Sequence, residues 1–422
     1  MKTISGVLVV WLTLFAAVST TIAQKSNENE QDRYGYFLTD HKKKLKIPFE
    51  VHSNLIIVPV QVNGGDTLRF ILDTGVSTTI ITEPAALRPE NLRYTRKVSI
   101  SGAGEGSAVE AHIAIGNTIN MYGMRANHQN MVVLESDVLQ LSEFVGIPVH
   151  GIFGYEIFNN FVVTIDFQHK ELTLRVPGTY RFKKRHGDIY PITIEDTKPF
   201  TQAVTLLADG RERPIKLAID TGAGHALLLD RSAGSHIELP QKVIYTQLGR
   251  GLNGVINGNL GRIEMIKVGR HTIGDVVASF PDSTSFGVKL PNHDERQGNI
   301  GCELLRRFRI TMNYREEYMV MKPVKRRLRE KFEHDMSGLE IRAGGEKFKD
   351  IFITHVLDKS PANVAGLQPG DQLMFLNNRP VQEMNISEVY KLLQRGHGKS
   401  VEMLVKRKGE VFFTQVVLRR LI

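Results

Sequence analysis

The chain has 422 residues, 41% of them hydrophobic and 23% charged, which is enough to bury sizeable cores and predicts two to four domains. Cys302 is the only cysteine, so an intramolecular disulfide and a cysteine-based zinc site are excluded, and the histidines show no metal-ligand spacing. The net charge of +9 lies largely in three basic runs without an aromatic-rich strip. We therefore expect solvated joints at these runs, no nucleic-acid partner, at most peripheral membrane association, and neither metal nor cofactor.

Residues 1–23 predict a secretory signal peptide. Lys2 is followed by the apolar run ISGVLVVWLTLFAAV and then by small residues, with cleavage expected after Ala23. An uncleaved membrane anchor is the alternative, which is disfavoured because the run is short for a span. We interpret residues 24–45 as a polar N-terminal tail rather than an activation segment. The mature protein is accordingly expected to be exported, either to the periplasm or outside the cell.

A mainly β unit is predicted next. Apolar strands flank the turn Asn-Gly-Gly-Asp at 63–66, which predicts a hairpin whose second strand leads into Asp-Thr-Gly at 73–75. The glycine-rich run SGAGEG at 101–106 predicts another hairpin, with a flexible tip. GIFGYEIFNNF, from 151, predicts a short helix before a closing strand.

The same series of elements returns 147 residues later. Asp-Thr-Gly recurs at 220–222, LGRGLN at 248–253 lies over the glycine-rich run, and GNIGCELLRRF aligns Gly301 with Gly154. Three anchors at one offset predict two structural copies of one fold. A copy of this size would struggle to close its core alone, so we expect the two copies to pair.

Pairing about a pseudo-twofold axis would bring Asp73 against Asp220. Two neighbouring carboxylates share one proton and titrate as a pair. The ionised member can activate a water molecule while the protonated member donates to a peptide carbonyl, without a covalent intermediate or a metal. The sequence leaves open which aspartate carries the proton. His225 has no equivalent beside Asp73, and we interpret it as a local hydrogen-bonding residue.

Two Asp-Thr-Gly loops, each followed downstream by an apolar-apolar-Gly element, resemble the aspartic proteases of the pepsin and retropepsin superfamily over about residues 46–324. The resemblance implies an acid-protease-like double β-barrel of two pseudo-symmetric retropepsin-like lobes, at 46–180 and 181–324. It also implies a monomer that contains an intramolecular pseudo-dimer and acts as an endopeptidase on peptide or protein substrates.

The resemblance assigns roles to individual residues. It implies catalysis by Asp73 and Asp220, loop support by Thr74, Gly75, Ser77, Thr221 and Gly222, and flap hairpins over the dyad that contain Gly102, Gly104, Gly106, Gly249 and Gly251. It also implies loop-packing glycines at Gly154 and Gly301. Two departures are visible. The second loop continues Ala223-Gly224-His225 and lacks the hydroxyl that Ser77 supplies in the first, and NIG matches the family less well than IFG.

A second module follows a basic linker predicted at 325–335. SPANVAGLQPGDQLMFLNNRPV is similar to PDZ domains, which implies a β-sandwich with one or two helices over 336–422. PDZ domains add an extended peptide to a sheet edge and capture its terminal carboxylate on backbone N–H groups. The resemblance places that site at Gly338, Leu339, Glu340 and Ile341. The alternative is a module that only docks on the lobes and binds no peptide.

The favoured function is an exported aspartic endopeptidase whose PDZ module recruits substrate or regulates access. A non-catalytic, peptide-binding adaptor that uses the lobes as scaffold is the alternative. Retention of both acids, Asp73 and Asp220, favours the enzyme, because a retired protease tends to lose one of them.

Overall fold

The computed structural model describes residues 30, 33–88, 92–206, 210–231, 237–283 and 296–422. The predicted signal peptide at 1–23 lies outside the described residues. Across the described part of the chain, none of the helices is long and apolar enough to cross a bilayer. The structure is mainly β, which confirms the predicted fold class, and its strands form two repeated lobes and a C-terminal domain.

In the described residues, lobe 1 contains twelve strands and two short α-helices. Its elements are β1 (Gly35–Leu38), β2 (Lys44–Pro48), β3 (Glu50–His52), β4 (Leu55–Val62), β5 (Thr67–Leu72), β6 (Ile80–Ile81), β7 (Arg93–Ile100), β8 (Val109–Met121), β9 (Met124–Leu134), α1 (Leu141–Val145), β10 (Gly151–Phe153), α2 (Tyr155–Asn160), β11 (Val162–Asp166) and β12 (Glu171–Arg175). The predicted hairpin at 63–66 is confirmed: β4 and β5 pair, and Asn63 and Gly64 both have the positive φ that a tight hairpin turn requires.

Lobe 2 repeats this order. Its elements are β13 (Asp188–Pro191), β14 (Thr193–Glu195), β15 (Lys198–Leu206), β16 (Glu212–Ile219), β17 (Leu227–Leu229), β18 (Val243–Gly251), β19 (Gly254–Val268), β20 (His271–Pro281), β21 (Gly298–Ile300), α3 (Cys302–Leu305), β22 (Phe308–Asn313) and β23 (Tyr318–Pro323). The sheet of lobe 1 contains the neighbour order β9-β6-β10-β5-β4, and the sheet of lobe 2 contains the equivalent order β20-β17-β21-β16-β15. The predicted internal repeat therefore extends to the strand topology.

A third sheet joins the lobes. Its order is β13-β23-β22-β11-β12-β2, so each lobe contributes three strands and the central pair is β11 with β22. In that pair Thr164 lies opposite Thr311, and their hydroxyl oxygens are 2.8 Å apart. The pseudo-twofold axis passes through this antiparallel pair, which fixes how the lobes face each other.

The prediction that residues 24–45 form a polar tail is wrong for residues 35–45, which the structure describes. β1 pairs with β9, and Tyr36, Phe37 and Leu38 are buried. β2 pairs with β12 at the edge of the interlobe sheet. The apolar side chains of this segment fill the core of lobe 1, where their burial contributes to stability.

The predicted solvated joint at 325–335 is also wrong. It begins with α4 (Lys325–Leu328), and Phe332 is buried in the core shared with the lobes. The fully buried Arg307 lies over the Phe332 ring at 3.6 Å and donates a hydrogen bond to the Arg327 carbonyl oxygen at 2.9 Å. A buried guanidinium needs such partners, so the joint is packed and hydrogen-bonded rather than open.

The PDZ domain has a separate core. It comprises β24 (Leu339–Gly344), β25 (Asp350–Val356), α5 (Pro361–Val364), β26 (Gln372–Leu376), β27 (Arg379–Pro380), α6 (Ile386–Leu393), β28 (Ser400–Arg407) and β29 (Glu410–Val417). A capping box begins α6, since the side chains of Asn385 and Glu388 each accept a hydrogen bond from the other residue's backbone N–H.

Candidate active site

The two Asp-Thr-Gly loops have the same main-chain support. β10 runs parallel to β5 beneath the first loop, and the Asp73 N–H donates to the Phe153 carbonyl oxygen at 2.9 Å. In lobe 2, the Asp220 N–H donates to the Ile300 carbonyl oxygen at the same distance, 2.9 Å. Each aspartate therefore lies at the end of a buried strand that a neighbouring strand holds in place.

Gly154 and Gly301 follow those neighbouring strands and pass close to the loops. A Cβ on Gly154 would lie 1.6 Å from the Asp73 carbonyl oxygen, and a Cβ on Gly301 would lie 2.2 Å from the His225 carbonyl oxygen. A side chain fits at neither position unless the backbone moves. Both glycines thus allow the close approach that the family resemblance implies.

Thr74 and Thr221 interlock the loops across the axis. The Thr74 N–H donates to the Thr221 hydroxyl and the Thr221 N–H donates to the Thr74 hydroxyl, both at 3.0 Å. Each hydroxyl then donates to a carbonyl oxygen of the opposite lobe, that of Ile219 at 2.6 Å or that of Leu72 at 2.8 Å. Both threonines are fully buried, so these four bonds hold the loops in one relative position.

The interlock brings the two carboxylates together. The Gly75 N–H donates to Oδ1 of Asp73 at 2.6 Å, and the Gly222 N–H donates to Oδ1 of Asp220 at 3.0 Å. A methyl group on Gly75 would lie 3.0 Å from Asp73 Oδ1 and 3.8 Å from Asp220 Oδ1, so one small group can contact both acids. Burial and the adjacent Asp220 carboxylate raise the pKa of Asp73 to about 7.

The loops differ in the side chains around the acids. Ser77 is exposed, and within the described residues its hydroxyl makes no hydrogen bond to Asp73. In lobe 2, the Asn299 amide Nδ2 donates to Asp220 Oδ2 at 2.7 Å, and His225 Nε2 lies 2.7 Å from the Asn299 Oδ1. Burial lowers the pKa of His225. Sequence reasoning did not find Asn299; the only signal was that NIG departs from the apolar pattern.

The ionisable groups around the dyad come mostly from lobe 2. Lys198, on β15, interacts electrostatically with both aspartates, and burial lowers its pKa. Arg296 interacts with Asp220, and Cys302 and Tyr314 lie close enough for the acids to raise their pKa values further, beyond the effect of burial. In the described ranges, no cluster of three or more His, Cys, Asp or Glu side chains is arranged to hold a metal ion.

Two hairpins, β7–β8 and β18–β19, meet at their tips. Asn253 donates its N–H to the Ala103 carbonyl oxygen at 2.9 Å, and its side-chain Oδ1 accepts from the Gly102 N–H at 2.7 Å. Leu252 beside it packs against a buried cluster of lobe 1, and so does Val76, the residue after the first Asp-Thr-Gly. The second hairpin tip thus packs next to the catalytic loop of the other lobe.

The glycines assigned to the flaps are not equivalent. Gly102, Gly104 and Gly106 form the wide tip of the first hairpin, whereas Gly249 and Gly251 lie inside strand β18. Gly251 is the last residue of β18, directly before the tight turn at 252–253, so both glycines belong to the second hairpin. A Cβ on Gly251 would lie 2.3 Å from the Ala103 carbonyl oxygen, so this strand glycine lets the other tip approach.

The four PDZ residues predicted to bind a peptide all have partners within the chain. The Asp335 carboxylate accepts from the backbone N–H groups of Gly338 and Leu339, at 2.5 and 3.1 Å, as a bound carboxylate would. Glu340 accepts from the Thr246 hydroxyl on β18. Ile341 is fully buried, and its N–H lies 3.3 Å from the Tyr390 hydroxyl.

Lobe 1 packs against the same face of the PDZ domain. α1 contacts both β24 and α6, and the Arg342 guanidinium lies 5.4 Å from the centre of the Phe144 ring. The Ser53 N–H donates to the Ser387 hydroxyl at 3.0 Å. The strand and helix that would flank a bound peptide are thus in contact with the protease-like body.

Comparison with known families agrees with this architecture. Residues 58–157 and 204–304 match the aspartyl protease family, and residues 352–407 match the PDZ domain family. The two protease segments coincide with the two lobes, and the third match falls in the C-terminal domain. The chain therefore carries a duplicated aspartyl protease region and a PDZ domain, and it is a protease-like, PDZ-containing protein.

Individual relatives match only short stretches. Eighty residues are 32% identical to Tight junction protein ZO-3 of Homo sapiens, which is 19% of this chain and 9% of the relative. Sixty-four residues are 34% identical to the Carboxy-terminal processing protease CtpA of Bacillus subtilis (strain 168), 15% of this chain and 14% of the relative. A Probable CtpA-like serine protease of Staphylococcus haemolyticus (strain JCSC1435) is 33% identical over 82 residues, 19% of this chain and 16% of the relative.

The chain thus covers 9 to 16% of the length of these curated relatives. Among solved structures, the photosystem II D1 C-terminal processing protease is 24% identical to this chain, with a TM-score of 0.20. The match covers 21% of this chain and 24% of the protease chain. At this TM-score the match does not establish a shared fold. The matching proteins include proteases, but matches this short do not indicate which type of catalysis this chain would use.

Proposed function

We propose that the protein is an aspartic endopeptidase that hydrolyses peptide bonds with a water molecule activated between Asp73 and Asp220. The observation that carries this proposal is the reciprocal threonine interlock. Thr74 and Thr221 hold two carboxylates against each other on equivalent loops, and the pKa of Asp73 is raised to about 7. A shared proton between neighbouring carboxylates is the arrangement that acid–base peptide hydrolysis needs.

The chemistry follows from that shared proton. The ionised carboxylate accepts a proton from the water as its oxygen attacks the peptide carbonyl carbon, while the protonated carboxyl donates to the carbonyl oxygen. Collapse of the resulting tetrahedral diol transfers a proton to the leaving nitrogen. The two hairpins joined at Asn253 would cover the bound peptide, and they must separate or let the chain thread between them.

Substitution of each acid tests the proposal. Asp73→Asn and Asp220→Asn should each reduce kcat/KM on an unstructured protein substrate by at least about a thousandfold, because each removes one member of the acid–base pair. Asp66→Asn changes an exposed aspartate at the β4–β5 turn and serves as the matched control. Activity that survives both dyad substitutions would contradict the mechanism.

For the PDZ domain we propose regulation of the site rather than recruitment through an open groove. Glu340 is hydrogen-bonded to β18, which belongs to the second hairpin, and α1 of lobe 1 covers β24 and α6. A peptide ligand would have to displace these contacts. The same coverage gives less support to the adaptor alternative, which needs a free peptide-binding edge. Glu340 is the residue whose removal tests this role.

Export is also part of the proposal. It rests on the charge and apolar pattern of residues 1–23. Mass spectrometry of the mature protein should find an N-terminus at Gln24, and a mature chain that keeps residues 1–23 would contradict it.

A further inference from the structure

The position that would carry a hydroxyl beside Asp220 is sterically closed. Gly224 stands where the first loop has Ser77, at the repeat offset of 147 residues. A Cβ on Gly224 would lie 2.5 Å from the Ser53 carbonyl oxygen, and the Asn54 side chain donates to the Gly224 carbonyl oxygen at 3.0 Å. The turn between β3 and β4 of lobe 1 therefore leaves no room for a serine side chain on the second loop.

Asn299 supplies a donor from the opposite direction. It lies on β21, is 3% exposed, and its amide nitrogen is 2.7 Å from Asp220 Oδ2. Its equivalent in lobe 1 is Ile152, which cannot donate a hydrogen bond. A primary amide presents its two donors on nitrogen only. Asp220 thus has a side-chain donor, Asn299, for which lobe 1 has no equivalent beside Asp73.

His225 sets the orientation of that amide. Its Nε2 lies 2.7 Å from Asn299 Oδ1, and a carbonyl oxygen can only accept, so the neutral ring carries its proton on Nε2. A chain of two hydrogen bonds then runs from His225 through Asn299 to Asp220. His225 is a positioning residue, since it acts on Asp220 only through Asn299.

We propose that Asn299, oriented by His225, holds Asp220 as the ionised member of the pair, so that Asp73 carries the shared proton. Among the described residues, each carboxylate has two N–H donors: the Gly75 and Gly222 N–H groups at Asp73, and the Gly222 N–H and the Asn299 amide at Asp220. Only Asp220 has a side-chain donor, and this donor is itself oriented by a second hydrogen bond, from His225. A charge stabilised in this way stays on Asp220, and the proton goes to Asp73. The assignment of catalytic roles rests on the proposed function, while the distribution of the proton does not.

The surrounding charges act in the same direction. Lys198 interacts with both acids, whereas Arg296 interacts with Asp220. Cys302 and Tyr314 also face the pair, and the raised pKa of each leaves it neutral. The pKa of His225 is lowered by burial, so its ring is neutral as well. The cations thus favour a negative charge on Asp220.

This assignment gives each acid one role in the first step. As the water oxygen forms its bond to the carbonyl carbon, one water proton moves to Asp220, and the Asp73 proton moves to the carbonyl oxygen as the C=O double bond becomes single. Atoms and charges balance, since Asp220 ends protonated and Asp73 ends ionised. The next step returns a proton from Asp220 toward the leaving nitrogen.

The test follows the two carboxyls directly, without using activity. In protein labelled with ¹³C at the aspartate side-chain carbon, Asp73→Asn and Asp220→Asn identify the two signals. We expect Asp220 to show the ionised chemical shift at pH 6 while Asp73 is protonated. Asn299→Ala should lower the ionised fraction of the Asp220 signal at pH 6 and raise that of the Asp73 signal, because Asp220 loses a hydrogen bond to its charged form.

His225 supplies a second set of variants, which serves if Asn299→Ala does not fold. His225→Leu should shift the Asp220 signal in the same direction, and His225→Gln should restore it, because a glutamine amide can donate to Asn299 Oδ1. Asn120→Ala, at the end of β8 opposite the hairpin tip, is the control and should leave both signals unchanged.

Two results would overturn the inference: protonation of Asp220 at pH 6 with Asp73 ionised, or titration curves that Asn299→Ala and His225→Leu both leave unchanged. The acidic limb of the kcat/KM profile should move to higher pH in Asn299→Ala together with the change in the two NMR signals. A loss of activity without that movement would indicate a merely structural role and would also overturn it. If the signals behave as expected but the natural protein cleaves no peptide, the proposed function fails and the proton assignment stands.

Discussion

In lobe 1, Asp73 lies on a loop whose serine is exposed to solvent, and its hydrogen-bond donors among the described residues are main-chain groups. In lobe 2, Asp220 lies on a loop without a serine, and a buried amide donates to it. Beneath both loops the main chain is the same, since equivalent parallel strands and reciprocal threonine bonds support them. The position of the acids is thus set by main-chain contacts, and the distribution of charge is set by side chains that the repeat does not share.

The lobes also differ in how their hairpins are held. β18 of the second hairpin is bonded to Glu340 of the PDZ domain, and it turns tightly into Asn253, which bonds the wide tip of the first hairpin. The two lobes are therefore similar in fold, but the hairpin of lobe 2 is hydrogen-bonded both to the PDZ domain and to the other hairpin. Substitutions at equivalent positions should accordingly have unequal effects.

The largest difference is expected at the loop-packing glycines. Gly154→Ala should destabilise the protein by at least about 4 kcal/mol, or prevent folding, because its Cβ would overlap the Asp73 carbonyl oxygen. For Gly301→Ala, where the clash distance is 2.2 Å rather than 1.6 Å, we expect a smaller cost of about 2–4 kcal/mol. Urea unfolding measures both, with Gly274→Ala as the control because its Cβ would meet only an ordinary contact at 3.4 Å. Equal costs at both sites would contradict the comparison.

An effect of intermediate size is expected in how the free energy of unfolding depends on pH. Because the pKa of Asp73 rises from 3.8 to about 7 on folding, the folded state holds a proton that the unfolded state releases above about pH 4. The contribution of Asp73 to the stability of the natural protein should therefore fall as pH rises from 4 to 7. Asn titrates no proton, so Asp73→Asn should be more stable by about 2–4 kcal/mol at pH 8 and equally stable near pH 3.

The same experiment distinguishes the two acids. Asp220→Asn replaces with an NH2 group one of the two oxygens that accept from Gly222 and Asn299, and it removes the charge that the amide is proposed to stabilise, so any gain in stability at pH 8 should be smaller than that of Asp73→Asn. Thermal unfolding across the pH range measures the difference. A larger gain at Asp220 would reverse the proposed inequality of the two loops.

The smallest effect is expected at the PDZ contact. Glu340→Ala removes the acceptor of the Thr246 hydroxyl and of the Gln247 N–H. Amide hydrogen exchange in β18 should become about fivefold faster, as expected for the loss of one net hydrogen bond, and exchange in β7 should change less. Glu346→Ala, an exposed glutamate in the same domain, is the control. Equal acceleration in both hairpins would show that the PDZ domain does not act on lobe 2 selectively.

Much of the fold was predictable because the repeat preserves local signals. The predicted hairpin around Asn63 and Gly64 depends on neighbouring residues, and so does the capping box of α6. The Asp-Thr-Gly triplets predicted the carboxylate pair because their spacing matched two further anchors at one offset. Secondary structure and the repeat are encoded within short stretches, which a single sequence displays.

What could not be predicted depends on distant partners. Asn299 acts on a residue 79 positions away and looked only like a poor match to an apolar pattern. Phe332 is one aromatic residue in a charged run, yet it covers a buried arginine, and Asp335 bonds the loop predicted to capture a ligand. For Phe332 and Asp335 the local residue types indicated solvent exposure, and tertiary contacts decided otherwise.

The interlobe sheet has a consequence for the order of folding. Its central strands β11 and β22 pair residues about 147 positions apart, as in the contact of Thr164 with Thr311. Pairings so distant in sequence form slowly, because a long loop must close before they contribute stability. Until β22 has joined it, β11 presents an unpaired edge of the apolar strand VVTID, which is the kind of edge that aggregates. The sheet that aligns the two acids is thus the part of the fold most exposed to misassembly during synthesis.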